Sequence, residues 1–288
     1  MKKLGKLLLS GVTLVIAITF MFNLDDRQYM GNNHFHNTTS VNTGINNTNN
    51  VSNYTTKTKT SGTTDKKTTA TTENNQKTAI QITDKRIPNY QGTETDYKEK
   101  KYTWTTHDNR KAYATLYVDY NVYDYYSSLG RYYHENEYTK YTDDSYSQAY
   151  AKSVADILRD IQKKAGYSDY ETVLEAINFV QQCIKYTSDG ATNYPQYIVE
   201  TLYKGKGDCE DSAMLLASII KELGYGSVLL LYSNHMAVGV MADRSTQGTY
   251  YEYGGNAYYY VEPTNTGWDI GQVPADYVGK SAIVLNVW

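Results

Sequence analysis

Residues 204–224 read KGKGDCEDSAMLLASIIKELG, and the point at which this stretch begins to coil decides what the domain is. Asp208 is the kind of short polar residue that caps a helix N-terminus, and Asp211 sits three positions later, so the helix is expected to start at Cys209. Gly224 supplies the stop. Between them Ala213, Met214, Leu215, Leu216, Ala217, Ile219, Ile220 and Leu223 run almost all the way round, the pattern of a helix buried on most sides. A thiol in the first turn of such a helix meets the positive end of the dipole and unpaired backbone amides. Both favour thiolate and are expected to draw the pKa below its ordinary ~8.5. The same amides can donate to an oxyanion on an attacked carbonyl. The position suits a nucleophile.

The flanking sequence supplies the frame. Upstream, AYATLYVDYNVY (112–123) alternates apolar and polar residues and reads as a half-buried strand, followed by a Tyr-rich connection from Asp124 to Tyr146 with no assigned structure. SQAYAKSVADILRDIQKKAG (147–166) carries one apolar stripe and ends at Gly166. A second helix opens with Ser168 and Glu171 at capping-box spacing and runs to near Tyr186. Downstream the period shortens: SVLLLY, HMAVGV, TYYEY, AYYYVE and AIVLNV read as strands separated by turns. Helices followed by an antiparallel sheet make an α+β domain with the central helix packed on the sheet.

A thiolate nucleophile needs an imidazole and a group to orient it. His235 is the one histidine beyond Cys209; it opens HMAVGV, with the small residues Ala237 and Gly239 on its own face leaving room for the ring. Glu262 ends the strand AYYYVE just before Pro263, where a carboxylate on an adjacent strand can accept the distal ring proton.

These motifs, YIVETLYKGKGDCEDSAMLLASIIKELGY, then HMAVGV, then YYYVEPTNTGW, resemble the transglutaminase-like superfamily, in particular its microbial cysteine-peptidase branch, over roughly Tyr150–Gly271. The resemblance implies a papain-like/transglutaminase-like core, with Cys209 as nucleophile, His235 as base and Glu262 as third member. Glu stands where many members have Asp. It also points to an upstream polar side chain completing the oxyanion hole, Gln181 or, less firmly, its neighbour Gln182, and to Tyr194, Pro195 and Tyr197 as an aromatic segment that either lines the cleft or simply packs.

The remainder of the chain bounds location and partners. Residues 7–24 carry no charge and follow Lys2, Lys3 and Lys6, the layout of a membrane anchor at residues 1–24 with everything after it outside; a cleaved signal and a secreted protein are the alternative. Residues 25–90 are read as an Asn/Thr-rich disordered linker, with sequons at Asn37, Asn46, Asn50 and Asn53, and residues 91–288 as the folded domain. The 288-residue chain has a net charge of −3. The three N-terminal lysines and the surplus of three cations in residues 25–86 leave about −9 on the rest. So acidic a domain repels phosphate backbones, and nucleic acid is not an expected partner. The 32 tyrosines against four phenylalanines offer either rings that stack on substrate or a bias of composition. Cys183 and Cys209 are the only cysteines, so one disulfide is the structural rival to catalysis. No phosphate loop, dinucleotide fingerprint or metal-spaced cluster appears, and no cofactor is expected. The function expected is cysteine-dependent acyl transfer outside the membrane: a peptidase or amidase on cell-wall or surface peptides. A protein-crosslinking transglutaminase and a non-catalytic surface binding module are the alternatives.

Overall fold

The computed structural model describes residues 79–83, 96–190 and 193–287. The apolar run 7–24, the sequons and nearly all of the expected linker lie outside these residues. Among the described residues no helix is long and apolar enough to cross a membrane.

Three strands come first: β1 (Ile80–Thr83), β2 (Tyr97–Thr105) and β3 (Lys111–Asp119), in the order β1-β3-β2. β1 lies parallel to β3 and β2 antiparallel to it. β1 falls inside the stretch read as linker. Ile80 and Ile82 are buried in the core, so the folded part begins ahead of residue 91. The strand read as 112–123 stops at Asp119, whose side chain accepts from the Asn121 N–H (2.8 Å) and caps helix α1 (Tyr120–Ser128). A 3-10 turn at Glu135–Glu137 and the short α2 (Lys140–Asp143) complete the Tyr-rich connection.

α3 (Ser145–Ala165) and α4 (Asp169–Cys183) follow. Gly166 ends α3 at φ +73°, a left-handed conformation that glycine adopts without penalty. Ser168 and Glu171 cap α4 reciprocally: the Ser168 N–H donates to Glu171 (2.7 Å), and the Glu171 N–H donates to the serine hydroxyl (3.3 Å). α4 ends at Cys183, short of Tyr186, because Lys185–Tyr186 forms the two-residue strand β4. α5 (Ile198–Lys204), β5 (Lys206–Gly207) and α6 (Cys209–Glu222) come next.

The last strands, β6 (Ser227–Leu231), β7 (Met236–Met241), β8 (Tyr250–Tyr253), β9 (Asn256–Val261) and β10 (Ile283–Asn286), form a fully antiparallel sheet in the order β10-β6-β7-β9-β8. The α+β reading with a central helix on an antiparallel sheet is thereby met, and the three-stranded sheet is an addition to it. α6 packs against α3, α4, β6 and β7, and every residue from Glu210 to Ile220 is buried. Each buried Leu or Ile there contributes about 1.5–3 kcal/mol of apolar transfer, so truncating one costs about 2–5 kcal/mol.

The two faces of the five-stranded sheet differ. Val238, Val240, Tyr259 and Val261 face the helices, whereas Val228, Leu230, Ala237, Tyr251, Tyr258 and Tyr260 form a second core on the other side. Many of the tyrosines are thus structural. Tyr232 and Tyr251 share a hydroxyl hydrogen bond (2.6 Å), and Tyr251 donates to the Lys280 carbonyl (3.1 Å). The small residues Ala237 and Gly239 do not leave open space. A side chain at Gly239 would collide with Val228 and Tyr258, which already fill that face.

Candidate active site

Cys209 is the first residue of α6 and Asp208 its N-cap, as the sequence implies. Asp211 accounts for the exactness of this start. Its carboxylate accepts from the Asp208 N–H (3.1 Å), the Gln196 N–H (2.7 Å) and the Gln196 side-chain amide (2.5 Å), tying the helix start to the incoming loop. Burial pushes its carboxyl up to about 7, although these donors pull the other way. Gly207 is required for the arrangement, since a β-carbon there would lie 2.5 Å from the Asp211 carboxylate. One rung below, β5 pairs in parallel with β4, with the Thr187 N–H donating to the Gly207 carbonyl (2.8 Å). The exit of α4 is therefore bound to the entry of α6, which brings Gln181 into the same neighbourhood as the cysteine.

His235 lies immediately ahead of β7, positioned by a tight turn that the Tyr232 N–H closes on the His235 carbonyl (2.8 Å). Glu262 lies immediately after β9. The two strands run antiparallel with Val238 opposite Val261, so residues 235 and 262 fall diagonally on one face. His235 Nε2 is 3.0 Å from Glu262 Oε2, and both side chains are largely buried. The extra methylene of Glu relative to Asp does not cost this contact. Glu262 also accepts from Tyr260 Oη (2.7 Å), Thr264 Oγ1 (2.6 Å) and the Thr264 N–H (3.1 Å). Burial opposes its ionisation, but His235, Thr264 and Tyr260 outweigh burial and hold its pKa at about 2.

The cysteine meets this pair through the backbone: the N–H of Met236, the residue after His235, donates to the Cys209 sulfur. The thiol itself donates to Glu210 Oε2 (3.1 Å). The expectation of a depressed thiol pKa fails here. Burial, and then the Glu210 carboxylate, push the thiol well above its ordinary value, against the Met236 N–H. The resting sulfur is protonated, and any reaction has to remove that proton when substrate arrives. Asp208 shares the effect; burial and its contact with Glu210 raise its carboxyl far above the carboxylate range.

The two glutamines separate cleanly. Gln181 is buried, and its amide donates to the Glu262 carbonyl (2.7 Å), beside the histidine's partner. Gln182 faces outward and clamps both the N–H and the carbonyl of Thr105 on β2 (2.8 and 2.9 Å). Tyr194 and Tyr197 pack. Tyr194 Oη joins the buried pair of Arg131 and Glu200, and the Tyr197 ring lies 4.7 Å from those of Tyr126 and Tyr141. The rings within electrostatic reach of Cys209 are Tyr138, Tyr186 and Tyr277, none of which the sequence singled out. Tyr277 lies over the His235 imidazole, centroids 4.9 Å apart and 22° between planes, and also packs on Tyr232 at 4.8 Å. Both cysteines are free thiols, which removes the disulfide alternative.

The structure thus defines an α+β domain in which a cysteine opens a buried helix beside an imidazole–carboxylate pair carried by an antiparallel sheet. Residues 155–229 match the family model of the transglutaminase-like superfamily, whose members are in general cysteine enzymes. The matched segment runs from within α3 through Cys209 into β6, and His235 and Glu262 lie beyond it. No curated protein matches the chain.

Proposed function

We propose that the domain is a cysteine peptidase or amidase of the microbial transglutaminase-like type, with Cys209, His235 and Glu262 as its catalytic triad. The observation that carries this reading is the 3.0 Å bond from His235 Nε2 to Glu262, made by the residue next to the one whose N–H meets the Cys209 sulfur. With Nε2 engaged, Nδ1 is the nitrogen free to take the thiol proton. An ionised Glu262 favours that transfer by stabilising the imidazolium that results.

The chemistry follows. Sulfur bonds to the substrate carbonyl carbon as its proton passes to His235, and negative charge gathers on the carbonyl oxygen. The Cys209 N–H, one of the first-turn amides that a helix leaves without an intrahelical partner, and the second amide hydrogen of Gln181 are the donors available to it. Collapse breaks the carbon–nitrogen bond, and His235 returns the proton to the leaving amine. Water, deprotonated by the same imidazole, then cleaves the thioester and restores the thiol. A second amine in place of water would give crosslinking instead. Because the resting thiol is protonated, sulfur and imidazole exchange the proton during the reaction rather than beforehand.

We further infer that residues 1–24 hold the domain outside a membrane, where cell-wall or surface peptides are its substrates; the uncharged run after three lysines supports this. The test is amide hydrolysis by the full chain on wall peptides and model amides, with and without added primary amine. Cys209→Ala should abolish product, a loss of about 10³-fold or more. Product formation unchanged in that variant would overturn the proposal. Incorporation of the added amine in preference to hydrolysis would reassign the enzyme to crosslinking.

A further inference from the structure

We propose that Asp208, Cys209 and Glu210 form a site for a thiophilic divalent cation of the zinc type, whose occupancy ties up the thiol. Three observations meet at this point. One carboxylate oxygen from each acid and the Cys209 sulfur all lie within 4.8 Å of one another, and the sulfur is already 3.1 Å from Glu210 Oε2. A tetrahedral ion with metal–ligand bonds of about 2.0–2.3 Å spaces its ligands roughly 3.5 Å apart, so small side-chain adjustments close the site. Asp208 is only 8 % exposed, yet its Oδ1 is buried without any hydrogen-bond partner. A buried carboxylate oxygen with no donor is costly unless something positive is there to meet it.

Charge and donor type decide which ion. A helix N-terminus carries about half a positive charge and by itself repels a cation. Once the thiol and Asp208 give up their protons to the ion, two carboxylates and a thiolate supply three negative charges against it, enough to reverse the sign locally. One sulfur with two oxygens selects a borderline-soft ion such as Zn²⁺ or Co²⁺ over Mg²⁺ or Ca²⁺, which take oxygen alone. Three protein ligands leave a fourth position for water. On binding, a sulfur–metal bond and carboxylate–metal bonds form while the protons of the thiol and of Asp208 leave to solvent, with no change of oxidation state. Three consecutive residues escape the usual ligand spacings, which is why the sequence showed no metal pattern. Cys183 offers no such set; its sulfur faces the Thr103 carbonyl at 3.7 Å.

The test uses the full chain and Zn²⁺ alone. Alkylation of Cys209 by iodoacetamide is followed by peptide mapping as Zn²⁺ is added, with Cys183 as internal reference, and Co²⁺ is titrated in parallel for its thiolate charge-transfer absorption. Zn²⁺ should protect Cys209 and leave Cys183 unaffected, and Cys209→Ala should remove the cobalt band. Asp208→Asn or Glu210→Gln should raise the half-protective Zn²⁺ concentration by about tenfold or more, the scale on which lost metal-site contacts act. That concentration is measured within each variant, so a change in the thiol's own reactivity does not enter. An unchanged value in both variants, equal protection by Mg²⁺, or no protection at all would overturn the proposal. None of these readings requires turnover, so the metal site and the proposed hydrolysis stand or fall separately.

Discussion

The exit of α4 and the entry of α6 each carry a cysteine, and the two thiols resemble one another more than their positions suggest. Burial raises both: Cys183 is pushed up to about 12, and Cys209 also lies well above its ordinary value. The helix N-terminus beneath Cys209 does not by itself make that sulfur the more acidic one. What separates them is company. Cys183 faces a carbonyl that can only accept, whereas Cys209 meets the Met236 N–H next to an imidazole already bonded to a buried, ionised Glu262. In the proposed reading the nucleophile is distinguished by the proton acceptor at hand, and helix position alone would mislead.

Removing that company should make the two thiols alike. Glu262→Gln keeps the shape but loses the charge that steadies an imidazolium. Turnover should fall by about 10²–10⁴-fold with little change in KM, and Cys209 alkylation should slow toward the rate of Cys183. Unchanged rates would mean that the His235–Glu262 bond is structural only. The neighbouring glutamines sharpen the contrast next. Gln181→Ala should lower kcat by about 10–10³-fold, the scale of one lost oxyanion donor, while Gln182→Ala, which frees only Thr105, should leave kcat in place. Equal effects in steady-state assays would remove Gln181 from the oxyanion role.

Acidity probes the same pair without chemistry. The folded pKa of Glu262, about 2, lies below its ordinary 4.5, so its stabilisation is full above the ordinary value and disappears as pH falls from about 4.5 toward 2. The stability lost over that window should be about 3 kcal/mol. Denaturant titrations across that range should show the loss in the wild type and a flatter profile in Glu262→Gln; identical profiles would contradict it. The smallest effect belongs to Cys183→Ala. Hydrolysis should be unaffected and stability should drop by about 1–2 kcal/mol, measured by thermal unfolding. A loss of turnover there would mean that the two helix ends are coupled through β4 and β5.

The start of α6, the capping box of α4 and all five strands of the antiparallel sheet were legible because each rests on local signals: a cap, a glycine, a change of period. The three-stranded sheet was not. β2 reads YKEKKYTWT and buries only Tyr102 and Trp104, so its polar outward side hides the alternation. Tyr120 and Val122 continued the strand period of β3, and only the Asp119 cap, made visible by the fold, turns them into a helix. At the site, motif order singles out Cys209, His235 and Glu262, which the fold brings into one neighbourhood. Tyr138, Tyr186 and Tyr277, whose hydroxyls feel the charge of Cys209, could not be found that way, because they come from segments far apart in the chain. Nor could the raised thiol be read in advance, since burial is a property of the whole packing and not of residue 209.

The short parallel ladder of β4 and β5 has one more consequence. It pinches the chain shut at the base of residues 187–205, an excursion that also holds the start of α6 through the bonds of Gln196 to Asp211. Residues added near Gly190 would lengthen a loop whose two roots are already stapled, at little entropic penalty and without shifting the sulfur. The protein therefore has a place where new recognition can be grafted while its reactive geometry stays fixed.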